Sequence, residues 1–102
     1  MKKIITMTNS QKKYIDWIKS GECLICWKPN PDPDHLEAIG MGGNRKKHTL
    51  KHFSCIPLCR LHHTERHSLG VTGFQERYGI NLYKELFKKF REFVCQEILK
   101  DI

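Results

Sequence analysis

Between Cys23 and His67 stand eight side chains that we single out as candidate metal ligands or bases, in the order Cys23-x2-Cys26, Asp34-His35, Cys59-x2-His62-His63-x3-His67. Ligands of one ion must converge on one point, so the segments that carry them must meet in space. Two kinds of site are interleaved. Cysteines spaced as Cys-x2-Cys form a soft thiolate trap suited to structural zinc. An Asp-His pair, followed by two His four residues apart, suits a harder, open site that acts on an oxyanion.

The chain has 102 residues, the size of one small domain. Such a domain buries a limited share of its surface, so a stapling metal adds much to its stability. Eighteen Lys and Arg against eleven Asp and Glu give a formal charge of +7, which favours a polyanionic partner, nucleic acid being the commonest. The plainer reading of that charge is a solvated surface that keeps the chain soluble. Five Cys is an odd count beside His at ligand spacing, which argues against a disulfide framework. Met1-Lys2-Lys3 is followed only by the short apolar run Ile4 to Met7, so no signal peptide is expected. A reducing, cytoplasmic compartment with thiols serving as ligands follows, and no apolar run reaches the length of a membrane span.

The pattern predicts a helix over 8–20, capped by Thr8, Asn9 or Ser10, with Tyr14, Ile15, Trp17 and Ile18 on its apolar face. Tyr14 and Trp17 are expected in the core rather than stacked on bases. Cys23 to Cys26 forms a tight knuckle, and Trp27 to Pro33 a proline-rich loop. A strand is expected over 34–39, a Gly-rich turn over 40–44, and a returning strand over 53–58 with Pro57 near its end. A helix from about Cys59 to Ser68 carries the His cluster and is broken by Gly70 and Gly73. A short helix over 74–78 and a last helix over 82–99, capped by Asn81, complete the chain. The last helix bears a broad apolar stripe from Leu82 to Ile98, expected in the core rather than as a binding groove.

Zinc takes four tetrahedral ligands, and Cys23 and Cys26 supply half. Cys59 and His62, three apart at the start of a helix, share a face and can supply the rest. A rival set replaces His62 with Cys55, although Cys55 falls inside a predicted strand. Cys55 and Cys95 otherwise read as buried free thiols. His63 and His67, four apart, project from one helical face, while His62 lies about 100° round the helix from His63 and can face the zinc. Asp34 offers a carboxylate from the hairpin. One carboxylate and two imidazoles leave positions open for water and a phosphate oxygen. His35, next to Asp34 on extended backbone, points the other way and stands near the ion without ligating it, where a general base belongs. A phosphodiester repels its nucleophile and has a poor leaving group; a divalent ion offsets both, and a neutral imidazole can generate the hydroxide. Taken singly, each of these side chains is an ordinary surface polar group. All six His of the chain, however, lie between residues 35 and 67.

The stretches "PDHLEAIGMGG" and "CIPLCRLHHTERH" resemble the HNH, or ββα-metal, nuclease family, and most of all its zinc-stapled subgroup found among phage and prophage proteins. The likeness covers about residues 23–70, with "FQERYG" just beyond. It implies an α+β fold: a single nuclease domain over 1–102, with a small ββα-metal core and a Cys/His structural zinc site over 23–70. The helix over 8–20 and the helices over 74–100 flank that core. By resemblance His35 is the general base, Asp34 and His63 are metal ligands, and His67 is the further ligand some members use. Mg2+ or Mn2+ is the expected catalytic ion and Zn2+ the structural one. The family's middle residue, usually Asn, corresponds best to His52 here, with Ser54 and Asn44 as alternatives; a His there can still hold His35 by one hydrogen bond. A bacterial or phage-infected cell is the implied setting.

Arg45, Lys46, Lys47 and Lys51 between the strands, with Arg60 and Arg66 on the metal helix, form the expected DNA surface. Such residues grip phosphates and give salt dependence without reading bases. The expectation is therefore a DNA endonuclease of low sequence specificity, or one specific for DNA structure. Two other readings stay open. One is a non-catalytic, zinc-finger-like nucleic-acid module that uses only the soft site. The other is an adaptor whose last helix binds a protein partner or a second copy of the chain.

Overall fold

The structure is a computed structural model and describes residues 9–37 and 51–99. Helix α1, Asn9–Lys19, buries Gln11, Tyr14, Ile15 and Ile18. These stand at i, i+3, i+4 and i+7, the spacing of one helical face. Its outer face carries the Lys12–Asp16 pair at 3.0 Å. The helix closes where the Ser20 hydroxyl donates to the Trp17 carbonyl at 2.7 Å. Thr8, one of the three expected caps, lies outside the described residues.

Strands β1, Asp32–His35, and β2, Cys55–Leu58, form a two-stranded antiparallel sheet. The register pairs Asp32 with Leu58, Pro33 with Pro57, Asp34 with Ile56 and His35 with Cys55. The first strand thus begins two residues before the expected Asp34 and takes in Pro33, which the sequence placed in a loop. Proline is tolerated because in an antiparallel ribbon alternate pairs exchange no N–H···O bonds, and here two prolines face each other at such a position. The second strand begins at Cys55 rather than at 53, because residues His52–Ser54 form a 3-10 turn. In that turn the buried Ser54 hydroxyl donates to the Lys51 carbonyl at 2.7 Å and accepts from the Glu37 amide at 3.0 Å.

Helix α2, Arg60–Tyr78, is kinked at Gly70, whose φ of 76° is open to glycine at little cost. The expected break at Gly73 does not occur; the helix resumes after the kink, absorbs the predicted 74–78 segment and ends at Gly79 in the left-handed conformation. Asn81 then caps helix α3, Leu82–Phe93, its side-chain oxygen accepting from the Lys84 amide at 3.0 Å. Beyond Phe93 the helix widens into a π-helical turn over Val94–Ile98, so the expected α-helix to 99 stops short.

The two faces of β2 serve two clusters. Ile56 and Leu58 pack with Leu36, Cys23, Cys59, Phe74 and Leu82, while Cys55 faces Tyr14, Ile15, Ile18 and Phe93. Tyr14 is wholly buried, donates to the Cys55 carbonyl at 2.9 Å and stands edge-on to Phe93 at 5.1 Å, so it belongs to the core as expected. The stripe on α3 is only partly used. Leu82 and Phe93 are buried, but Tyr83 remains 53 % and Phe87 62 % exposed, because the small core reaches only one edge of that broad face. Among the described residues no helix is long and apolar enough to cross a membrane.

Candidate metal centres

The knuckle between α1 and β1 docks on the outer edge of β2: the Leu24 amide donates to the Pro57 carbonyl at 3.0 Å. That bond carries Cys23 and Cys26 to the start of α2. Cys59 is the residue before the helix, and its thiol makes no capping bond, which leaves it turned to the knuckle. His62 follows one turn later on the same face. The donor atoms of Cys23, Cys26, Cys59 and His62 lie within 4.8 Å of one another. Cys26 Sγ is 3.7 Å from Cys59 Sγ, Cys59 Sγ is 3.2 Å from His62 Nδ1, and Cys23 Sγ is 3.7 Å from that nitrogen. Zn–S bonds of ~2.3 Å give a tetrahedron with edges of about 3.8 Å, so these spacings suit zinc. Burial pushes the Cys23 thiol up, but hydrogen bonds from the backbone of Cys26, Cys59 and Ile25 and from the Cys26 thiol outweigh it and bring the group down to about 7. A thiol poised so close to ionisation is ready to act as a ligand. The cluster can hold a metal such as zinc.

The rival set with Cys55 is not assembled. Cys55 is buried in the cluster around Tyr14, and burial, with the Asp34 carboxylate, pushes its thiol up to about 12. Cys95, expected to be buried like Cys55, is instead an exposed free thiol.

The second group stands on the next face of α2. Residues 63, 66 and 67 are related as i, i+3 and i+4 and share one face, here turned to β1. His63 Nε2 and His67 Nε2 are 3.1 Å apart, and each is 3.5 Å from Asp34 Oδ1. Adjacent ligands of an octahedral ion at ~2.1 Å stand about 3.0 Å apart, so the three donors can share one ion and leave its other positions open. Asp34 is fully buried, and Arg66 grips it with a two-pronged fork, Nε to Oδ2 and Nη2 to Oδ1, each 2.7 Å. Each carboxylate oxygen has two lone pairs. The fork engages one on Oδ1, and the other is left for the histidine side. Arg66 also donates to the His35 carbonyl at 3.3 Å, and its hydrogen bond to Asp34 holds the guanidinium pKa above its usual value.

That contact corrects the expected role of Arg66. It is 8 % exposed and committed to Asp34, which leaves it little surface for a DNA phosphate. Arg60 is exposed but its guanidinium sits 3.1 Å from Asp32. Lys51 is half-buried beside the 3-10 turn. Arg45, Lys46 and Lys47 lie outside the described residues, as does Asn44.

His35 is on β1 next to Asp34, and its Nε2 lies 3.0 Å from His52 Nδ1. Burial lowers its pKa first, the neighbouring His52 adds to that, and Asp34 opposes it; burial also lowers His52. Ser54 is turned instead to Lys51 and Glu37. Asp32 is a residue the sequence reading passed over. Two positions before Asp34, it projects from the same face of β1, and its Oδ2 lies 3.0 Å from His63 Nδ1. The signal was present in the alternation of the run Asp-Pro-Asp-His.

The uncharacterized protein YdfU of Escherichia coli (strain K12) is 40 % identical to this chain over 81 residues, which cover 78 % of the chain and 22 % of that protein. The chain therefore spans about a fifth of the length of this relative. No solved structure matches it. The model of a protein family of unknown function, DUF968, matches residues 1–94, and the chain belongs to that family.

Proposed function

We propose that this chain is a metal-dependent endonuclease of the HNH, ββα-metal type that hydrolyses phosphodiester bonds in DNA. The observation that carries the reading is the meeting of Asp34 Oδ1, His63 Nε2 and His67 Nε2 within 3.5 Å, beside a half-buried His35. A divalent ion held by those three would offset the charge of the scissile phosphate and of the leaving oxygen. Two imidazoles among three donors favour Mn2+ or a similar ion over Mg2+. The chain's own groups do the rest. When His35 donates its Nε2–H to His52 Nδ1, its other ring nitrogen is free to take the proton from an attacking water. His52 thus fills the place of the family's Asn by holding the base. Arg66 keeps Asp34 in place, while Lys51 and the basic run 45–47 would contact phosphates without reading sequence. Cleavage of low sequence specificity, or of a particular DNA structure, is the expected outcome, in phage or prophage DNA processing.

Purified protein given supercoiled plasmid and Mn2+ is expected to nick it, and His35→Ala to lower the rate by about 10²–10⁴-fold, the usual worth of a positioned base. Equal nicking by the variant overturns the assignment of the base. Binding without cleavage under Mn2+ and Mg2+ supports the non-catalytic zinc module instead.

The pH profile follows from the same histidine. A base works when neutral, and a pKa lowered chiefly by burial keeps His35 neutral in more acid solution than free imidazole. The acid limb of kcat/KM is expected below the ordinary ~6.5 of histidine. A limb at or above that value contradicts it.

A further inference from the structure

Within the metal reading proposed above, we infer that Asp32 is the positioning residue of the second centre, fixing which nitrogen of His63 faces the ion. A carboxylate only accepts hydrogen bonds, and a neutral imidazole has one N–H to give. With Asp32 Oδ2 at 3.0 Å from Nδ1, that proton sits on Nδ1, and Nε2 carries a bare lone pair. The lone pair is aimed where it would serve: Nε2 stands 3.1 Å from His67 Nε2 and 3.5 Å from Asp34 Oδ1. His63 then brings only an acceptor to that meeting point. Asp34 Oδ1 brings another, the lone pair that the Arg66 fork leaves unused, so a cation at that point would meet two acceptors.

The backbone explains why one strand can do both jobs. Asp32 and Asp34 are two positions apart and point to the same side of β1, toward α2. Asp32 reaches Nδ1 of His63, and Asp34 reaches Nε2. Arg60, three residues before His63 on α2, holds Asp32 from the solvent side at 3.1 Å. Metal-bound histidines commonly give their second N–H to a carboxylate in this way, and loss of that partner costs about 10–100-fold in metal affinity. Asp32 touches no ligand atom of the ion and acts only through His63.

Two measurements on the zinc-loaded chain decide it. Long-range 1H–15N spectra of the wild-type protein at about pH 8, where free imidazole is neutral, report the His63 tautomer directly. The Nδ1–H form is expected, and the Nε2–H form overturns the inference. Mn2+ binding, followed by calorimetry or by the Mn2+ electron spin resonance signal, is then compared among wild type, Asp32→Ala, Asp32→Asn and Asp34→Ala. Asp32→Ala is expected to bind Mn2+ about 10–100-fold more weakly. Asp32→Asn should recover most of the loss, since its amide oxygen accepts the same N–H. Melting and zinc content should stay as in wild type for both. Mn2+ binding by Asp32→Ala equal to wild type overturns this inference alone. Mn2+ binding that survives Asp34→Ala unchanged, or is absent from wild type, overturns the metal reading and this inference with it.

Discussion

Cys23→Ser is expected to abolish tight zinc binding and to remove the cooperative unfolding transition of this domain. The reason is one of magnitude. Structural zinc binds zinc-finger peptides with an apparent ~10–16 kcal/mol, and a site absent from the unfolded chain returns that energy as folding energy. A domain of this size has only about 5–15 kcal/mol of stability in total. The Cys23 cluster lies at the junction of the knuckle, β2 and the start of α2, and Cys23 and Cys59 are themselves core residues. Losing the ion therefore releases three segments at once. Calorimetry with metal analysis checks this, and wild-type protein stripped by a strong chelator should show the same loss. Cys95→Ser, at an exposed thiol outside the cluster, should melt as wild type does. A Cys23→Ser protein with unchanged melting and zinc content contradicts the assignment.

Arg66→Leu is expected to cost about 3–5 kcal/mol, because it strands a buried carboxylate without its counter-charge. Asp34 has no exposure to water, and both its oxygens are held by the Arg66 fork at 2.7 Å. Arg66→Lys should recover only part of the loss, since an ammonium cannot make the two-pronged contact. The double variant Arg66→Leu, Asp34→Leu should regain much of it by replacing the pair with apolar contacts, at the cost of the second candidate metal site. Urea unfolding of the four proteins provides the check. A change within about 0.5 kcal/mol for Arg66→Leu, the usual range at a surface position, would return Arg66 to the solvent face where its sequence context first placed it.

That last contrast shows what a linear pattern carries and what it omits. Ligand spacing is a local property. Cys23-x2-Cys26 and Cys59-x2-His62 each fix a geometry before any tertiary contact forms, so both pairs could be read directly, and so could the handover from His62 to His63 around the helix. The Asn81 cap is equally local. Burial is not. Arg66 lies in a basic stretch, and only the register of β1 against β2 turns Asp34 inward to meet it. The strand itself starts at Asp32 rather than Asp34, because Pro33 reads as a loop residue and a proline facing a proline across a ribbon is a non-local arrangement. Asp32 was missed for the same reason: a strand placed from 34 onward leaves it outside the face it shares with Asp34. The stripe of α3 shows a further limit. Its period announces an apolar face, but the number of neighbours available to cover that face depends on the whole small core, and Tyr83 and Phe87 remain in solvent. His52 falls between these cases. Composition gave it no role, resemblance gave it a place, and the 3-10 turn brings it to 3.0 Å from His35.

One helix serving two unlike candidate metal centres is the centre of this account: Cys59 and His62 turned to a closed soft cluster, His63 and His67 turned to an open one with Asp34. Metal counting by native mass spectrometry, before and after a mild chelator, tests it most directly. Protein supplied with zinc and Mn2+ should carry two ions per chain, lose the Mn2+ to the chelator and keep the zinc, and His63→Ala should carry the zinc alone. A single ion per chain, or a zinc that departs with His63→Ala, would contradict it.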